Sequence, residues 1–208
     1  MGPKRTWVID KTFEFDYAHQ VWAQSLIKEF ALDECTMCKH PHGHRGKLKV
    51  CLEAHYLDHK GMVIDFKELN FFKQWIDDVL DHKFICDIED PIVPEEFPLA
   101  VISNKIDKEL VAHHREGYYT FNVPLILEKA KQVYSDERTI GRVKDKYEGI
   151  VLVNFIPTSE NLTRWFFNVV KIKLASHPDF ENLRVKVKRI EFWETPKSHC
   201  IYEEEYDR

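Results

Sequence analysis

The strongest constraint on the fold of this chain is the strict alternation in residues 12–19, TFEFDYAH. One parity carries three aromatic rings and an imidazole: Phe13, Phe15, Tyr17 and His19. The other parity carries the carboxylates Glu14 and Asp16. Because successive side chains of a β-strand point to opposite faces, this pattern predicts a half-buried strand with His19 on its apolar face.

A second alternating stretch occupies residues 47–54, KLKVCLEA, with Leu48, Val50 and Leu52 on the apolar face. Further strands are predicted over 183–194 and 199–204. Together these patterns predict strands that carry one apolar and one polar face, which is typical of antiparallel sheets.

Two segments have helical rather than strand periodicity. Residues 65–80 begin with Asp65 and Glu68, an acidic variant of the capping box, and residues 158–175 follow Pro157. The predicted order is strand, strand, helix, long excursion, helix, strand, strand. Strands paired in hairpins with helices on one face predict an α+β fold.

Composition excludes several classes of protein. Of the 208 residues, 44% are hydrophobic and 13% are aromatic, enough for a sizeable core. A net charge of −5 and a pI near 6.1 argue against a nucleic-acid partner. No apolar run approaches the length of a membrane span. Five irregularly spaced cysteines without a secretory signal predict reduced thiols and a cytoplasmic location.

Residues 35–47, CTMCKHPHGHRGK, contain two cysteines and three histidines. They do not fit a zinc finger, because only three residues separate Cys38 from His42. His42 and His44 share the parity of the apolar positions in 47–54, so they point to the same side as His19. Three neutral imidazoles with one open position are the ligand set of a catalytic zinc. The alternative is that these histidines are ordinary packed or surface residues.

Six short motifs occur in this order: FEFDYAH, CKHPHGH, MVIDFKEL, LDH, PTSENL and ET. They resemble the 6-pyruvoyltetrahydropterin synthase and 6-carboxytetrahydropterin synthase family over about residues 1–85 and 154–206. The resemblance implies the tunnelling fold (T-fold), a four-stranded antiparallel sheet with two helices, assembled into trimeric barrels and then hexamers. It also implies a zinc enzyme that acts on 7,8-dihydroneopterin triphosphate, a small-molecule pterin substrate.

The resemblance assigns roles by position. The zinc ligands fall on His19, His42 and His44, and the catalytic thiol falls on Cys38. The remaining roles fall on a catalytic pair and a pterin-binding pair: Asp81 with His82, and Glu194 with Thr195. The three residues between the thiol and the first histidine of HGH match the carboxy-type enzymes. Those lyases produce 6-carboxytetrahydropterin, acetaldehyde and triphosphate on the route to 7-deazaguanine bases such as queuosine.

These assignments suit the residue types. As a thiolate, Cys38 would remove a proton, and His82, oriented by Asp81, would relay protons. Glu194 would accept the paired N–H groups at the edge of the pterin. The alternatives are a Cys35–Cys38 redox or metal pair, a helix-capping role for Asp81 and His82, and a strand-end surface position for Glu194.

Two alternatives concern the function as a whole. The same groups also suit the pyruvoyl-type reaction, which eliminates triphosphate without cleaving the side chain, and a catalytically silent pterin- or zinc-binding protein could keep the same fold. Residues 87–153 depart most from the family, and we interpret them as an atypical insertion within a single T-fold domain spanning 1–208. They are too hydrophobic for a disordered linker, and they could form a lid, an oligomer contact or a neutral elaboration.

Overall fold

The computed structural model describes residues 6–26, 29, 37–176 and 185–204. Within them, the β-strands are β1 Trp7–His19, β2 His42–Ala54, β3 Lys83–Asp87, β4 Val101–Ile102, β5 Lys105–Ile106, β6 Val111–His114, β7 Tyr118–Phe121, β8 Ile150–Val153, β9 Lys186–Thr195 and β10 Ser198–Glu203. The α-helices are α1 Ala23–Leu26, α2 Asn70–Val79, α3 Val93–Glu96, α4 Val123–Val133, α5 Glu137–Glu148 and α6 Ser159–Ala175. Short 3-10 helices span Met37–Lys39, Phe66–Leu69, Pro98–Ala100 and Lys108–Leu110.

The main sheet has eight strands in the order β10-β9-β2-β1-β3-β8-β7-β6. It is mixed, because β3 pairs in parallel with both β1 and β8, whereas β2–β9 and β9–β10 are antiparallel. The predicted sheet of four antiparallel strands is therefore wrong in its strand number and in its purely antiparallel pairing. The added strands β3 and β8 contain continuous apolar runs, FIC and IVLV, which are typical of parallel strands covered on both faces.

The chain divides into two compact units. The first contains the described parts of Met1–Asp16, His44–Asp81 and Ser159–Arg208. Its core confirms the predicted strand parity, since Phe13 and Phe15 are each only 3% exposed.

Aromatic rings connect the strands and helices of this first unit. Phe15 stacks on Phe192 of β9 with ring centroids 6.1 Å apart, and it meets Phe166 of α6 edge-on at 6.0 Å. Phe13 meets Phe72 of α2 edge-on at 5.3 Å. Burial of apolar surface of this kind is the main stabilising contribution to a fold.

The two predicted helices are present. Residues 65–80 form a 3-10 turn followed by α2, and Asp65 caps the turn by accepting the Lys67 N–H at 2.9 Å. A capping box would direct this bond to the Glu68 N–H instead, so the predicted helix start is confirmed but the donor differs. The second helix, α6, spans Ser159–Ala175, within one residue of the prediction.

The second unit contains the described parts of Tyr17–Gly43 and His82–Thr158. Its core includes three rings, Phe97, Phe121 and Tyr147, whose centroids lie 4.9–5.4 Å apart. The Tyr147 hydroxyl also accepts the Leu99 N–H at 3.1 Å, and burial raises its pKa to about 12. Residues 87–153 are therefore ordered around apolar side chains, whereas their interpretation as an insertion within a single domain stays a prediction.

Candidate metal centre and neighbouring residues

His19, the last residue of β1, is 2% exposed, and its Nδ1 lies 2.6 Å from the carbonyl oxygen of Pro157. A carbonyl can only accept a hydrogen bond, so Nδ1 carries a proton, and in the neutral ring the lone pair is then on Nε2. His42, the first residue of β2, makes the same kind of bond from Nδ1 to the His40 carbonyl at 2.8 Å. Metal-binding histidines characteristically donate their second ring N–H in this way.

The two rings lie close together, with centroids 4.6 Å apart. His44 lies two positions after His42 in the same strand and therefore points to the same side. One ligand atom from each of His19, His42 and His44 lies within 4.8 Å of the other two. Three neutral imidazoles that converge in this way are a donor set suited to zinc, so these residues fit the predicted metal.

Gly43 separates the two histidines of β2. A Cβ atom at this position would lie 3.3 Å from the Tyr17 carbonyl oxygen, closer than nine in ten real Cβ contacts. Glycine therefore permits a close backbone approach beside the histidines, which explains why a larger residue does not stand between them.

Glu194 lies near the end of β9, and its Oε1 is 3.9 Å from Nε2 of His44. The antiparallel register, in which Lys47 faces Trp193, brings the end of β9 beside the start of β2. The Glu194 side chain is 24% exposed, so it is accessible to a ligand while next to a candidate metal ligand. Thr195 accepts the Lys197 N–H at 3.3 Å in the turn before β10.

Cys38 lies in the 3-10 turn Met37–Lys39, and its side chain is exposed. Its carbonyl oxygen accepts the Val21 N–H at 2.8 Å, which ties the turn to the segment that follows β1. Cys35, the other member of the alternative cysteine pair, lies outside the described residues.

Asp81 and His82 lie between the end of α2 and the start of β3. Asp81 Oδ1 accepts the backbone N–H of Asp16 in β1 at 2.9 Å. His82 is exposed and adopts a φ of 59°, a left-handed conformation that is uncommon outside glycine and is found disproportionately at functional sites. The predicted roles of Cys38, Asp81, His82, Glu194 and Thr195 stay predictions.

A buried polar network in the second unit was not predicted from the sequence. Trp22 Nε1 donates to Asp87 Oδ2 at 2.9 Å, and Gln20 Nε2 donates to Asp90 Oδ2. Burial is the main cause that raises the pKa of Asp87 above its ordinary value. The available signal was the pair of aspartates in DIED, directly after the apolar strand residues FIC.

Comparisons with known proteins found similar sequences over nearly the whole chain. The 6-pyruvoyl tetrahydropterin synthase family model matches residues 8–205. A 6-carboxy-5,6,7,8-tetrahydropterin synthase from Aquifex aeolicus is 26% identical over 206 residues, which cover 96% of this chain and 99% of that protein.

Two solved structures are also similar. An uncharacterized protein from Wolinella succinogenes is 39% identical, with a TM-score of 0.76 over 97% of this chain and 99% of that chain. The 6-pyruvoyl tetrahydropterin synthase of Plasmodium falciparum has a TM-score of 0.53 at 12% identity over 96% and 98% of the two chains. The second likeness concerns the fold alone, and it supports the predicted T-fold class.

Proposed function

Because the chain belongs to the 6-pyruvoyl tetrahydropterin synthase family, we propose that it is a zinc-dependent 6-carboxy-5,6,7,8-tetrahydropterin synthase. The proposed reaction converts 7,8-dihydroneopterin triphosphate to 6-carboxytetrahydropterin, acetaldehyde and triphosphate, a step towards 7-deazaguanine bases. The observation that carries this proposal is the convergence of His19, His42 and His44 within 4.8 Å.

Two observations favour the carboxy-type reaction over the pyruvoyl-type. The Aquifex aeolicus relative, which bears the carboxy-type name, covers almost the whole chain. The three-residue spacing between Cys38 and His42 also matches that type.

The proposed zinc would be held by His19, His42 and His44. When bound, it would supply the Lewis acidity that makes the side-chain hydroxyls of the substrate easier to deprotonate. The hydrogen bonds to the Pro157 and His40 carbonyls fix the tautomers of His19 and His42, and they hold each ring in a single orientation.

The protein's own groups would carry the proton transfers. Cys38 is assigned as the base that removes a proton from the substrate, and its exposed side chain is accessible to a ligand. His82 is assigned as the proton relay, with Asp81 as the residue that orients it. Glu194 would fix the pterin by accepting two N–H groups with its two carboxylate oxygens, and Thr195 would lie beside it at the strand end.

Product analysis tests the proposal. Zinc-loaded protein incubated with 7,8-dihydroneopterin triphosphate is expected to yield 6-carboxytetrahydropterin and acetaldehyde, detected by mass spectrometry. A product that keeps the three-carbon side chain would identify the pyruvoyl-type reaction instead. No turnover of this substrate by protein with a full complement of zinc would identify a catalytically silent pterin- or zinc-binding member of the family.

Glu194→Gln is expected to weaken substrate binding by about 1.5–3 kcal/mol, the scale for a hydrogen bond to a charged group. Glutamine keeps the size of the side chain but replaces one acceptor oxygen with a donor that faces a pterin N–H. Affinity should be measured by calorimetry in a Cys38→Ala background, so that turnover does not consume the substrate.

Glu203→Gln, an exposed position on the neighbouring strand β10, is the matched control and should leave the dissociation constant unchanged. Because Glu194 lies 3.9 Å from His44, zinc content must be measured in the same samples. An unaltered affinity of Glu194→Gln for the substrate would remove Glu194 from the binding site.

We also propose a homohexamer, built as a dimer of trimers, because sheet edges are commonly closed by pairing with other strands.

The proposed location is the cytoplasm, where the irregularly spaced cysteines would stay reduced. Among the described residues, no helix is both long enough and apolar enough to cross a membrane.

A further inference from the structure

Strand β1 pairs in parallel with β3, and His19 faces Ile85 in this register. Parallel strands end at the same edge of a sheet, so the residues that follow His19 emerge beside those that follow Ile85. This topology places residues 20–22 next to the end of β3 at Asp87 and to the turn that contains Asp90.

Each residue of the segment 20–22 makes a separate hydrogen bond. The Gln20 side-chain amide donates to Asp90 Oδ2, and the Trp22 indole donates to Asp87 Oδ2 at 2.9 Å. Between them, the Val21 backbone N–H donates to the Cys38 carbonyl at 2.8 Å. The two aspartates therefore bind the first and last residues of this segment, Gln20 and Trp22. The middle residue, Val21, binds the turn that contains Cys38.

Both aspartates are themselves fixed. Asp87 is 4% exposed and Asp90 is 3% exposed. The second oxygen of each carboxylate accepts a backbone N–H of its own turn at 3.0 Å, from Glu89 for Asp87 and from Ile92 for Asp90. Buried carboxylates are costly unless they are hydrogen-bonded, and bonding on both oxygens makes these two rigid anchors.

We infer that Asp87 and Asp90 are positioning residues for Cys38: through Gln20 and Trp22 they hold the segment to which the Cys38 turn is bonded. The inference rests on the proposed function, in which Cys38 is the catalytic base. Effective proton transfer requires the base at a defined position, and a displacement of about 1 Å can lower a rate by about a hundredfold. Neither aspartate needs to contact the substrate for this effect.

Trp22→Phe removes the indole N–H donor and keeps an aromatic ring. Asp87→Asn leaves a single side-chain oxygen to accept both the Trp22 indole N–H and the Glu89 backbone N–H. Each variant is expected to lower kcat by about tenfold while KM and zinc content stay unchanged, because the base and not the binding site is displaced. The double variant should be no slower than the slower single variant, because both changes remove the same hydrogen bond.

A second readout does not depend on turnover. Amide hydrogen exchange at Val21 reports the bond to the Cys38 carbonyl, and it should become about tenfold faster in both variants. Exchange at Ile126, which is fully buried in the same unit, should be unchanged. If wild-type protein does not turn over the substrate, the proposed function fails, and the exchange result still decides whether the aspartates hold this segment.

Asp136→Ala is the matched control for a general loss of stability. Asp136 caps α5 by accepting the Thr139 N–H at 2.8 Å, a bond made within its own helix and not with residues 20–22. Its replacement should lower the melting temperature but leave kcat and Val21 exchange unchanged. Any one of four results would overturn the inference: unchanged Val21 exchange in both test variants, a raised KM with normal kcat, loss of zinc, or additive effects in the double variant.

Discussion

Replacing His42 or His44 with alanine is expected to reduce bound zinc from about one ion per chain to a small fraction of that. Each variant leaves two of three converging imidazoles. Loss of a residue that merely orients a ligand typically costs about 10- to 100-fold in metal affinity, so loss of a ligand itself should cost more. Turnover should be abolished together with the metal. Elemental analysis and product formation on the same dialysed samples check the prediction.

His40→Ala is the matched control for these variants. His40 is exposed, and it contributes its backbone carbonyl, not its ring, to the bond with His42 Nδ1. Alanine keeps that carbonyl, so zinc content should remain at the wild-type value. A full complement of zinc in both His42→Ala and His44→Ala would refute the assignment of the site.

Cys38→Ala is expected to lower turnover by about a hundred- to ten-thousand-fold, the range for a positioned acid–base group. Zinc content should be unchanged, because Cys38 is not assigned as a ligand. The combination of retained metal and lost turnover separates this variant from the histidine variants, and both quantities are measured on one preparation.

Cys35→Ala provides the comparison within the same motif. If Cys38 is the base, Cys35→Ala keeps most of its activity. If the two cysteines form a redox or metal pair, both substitutions have the same effect, and added reductant changes the rate. If Cys35 is the base, the order of the two variants reverses and the pyruvoyl compound becomes the expected product.

Local periodicity was sufficient to predict the strands and helices that have one buried and one solvent-exposed face. The parity of Phe13, Phe15 and His19 predicted their burial, since alternation reports directly which face of a strand meets the core. The helices at 66–79 and 159–175 were likewise predicted from the spacing of their apolar residues.

Pairing in the larger sheet was not predictable in the same way. The middle residues of β3, Phe84 to Cys86, and all four residues of β8 are apolar, so they carry no alternation, and a continuous apolar run does not identify its neighbours. The four added strands β3, β8, β7 and β6 and their mixed directions appeared only in the folded chain.

The sequence by itself predicted the three metal-binding candidates, because strand parity points His42 and His44 to the same side as His19. Only the tertiary structure brought a ligand atom of each within 4.8 Å of the others and placed the carbonyls of Pro157 and His40 against the rings of His19 and His42. It likewise decided the link from Asp87 through Trp22 to the Cys38 turn. The physical reason is that all of these contacts except the one between His42 and His40 join residues distant in sequence, and their partners are determined by strand pairing that no local pattern encodes.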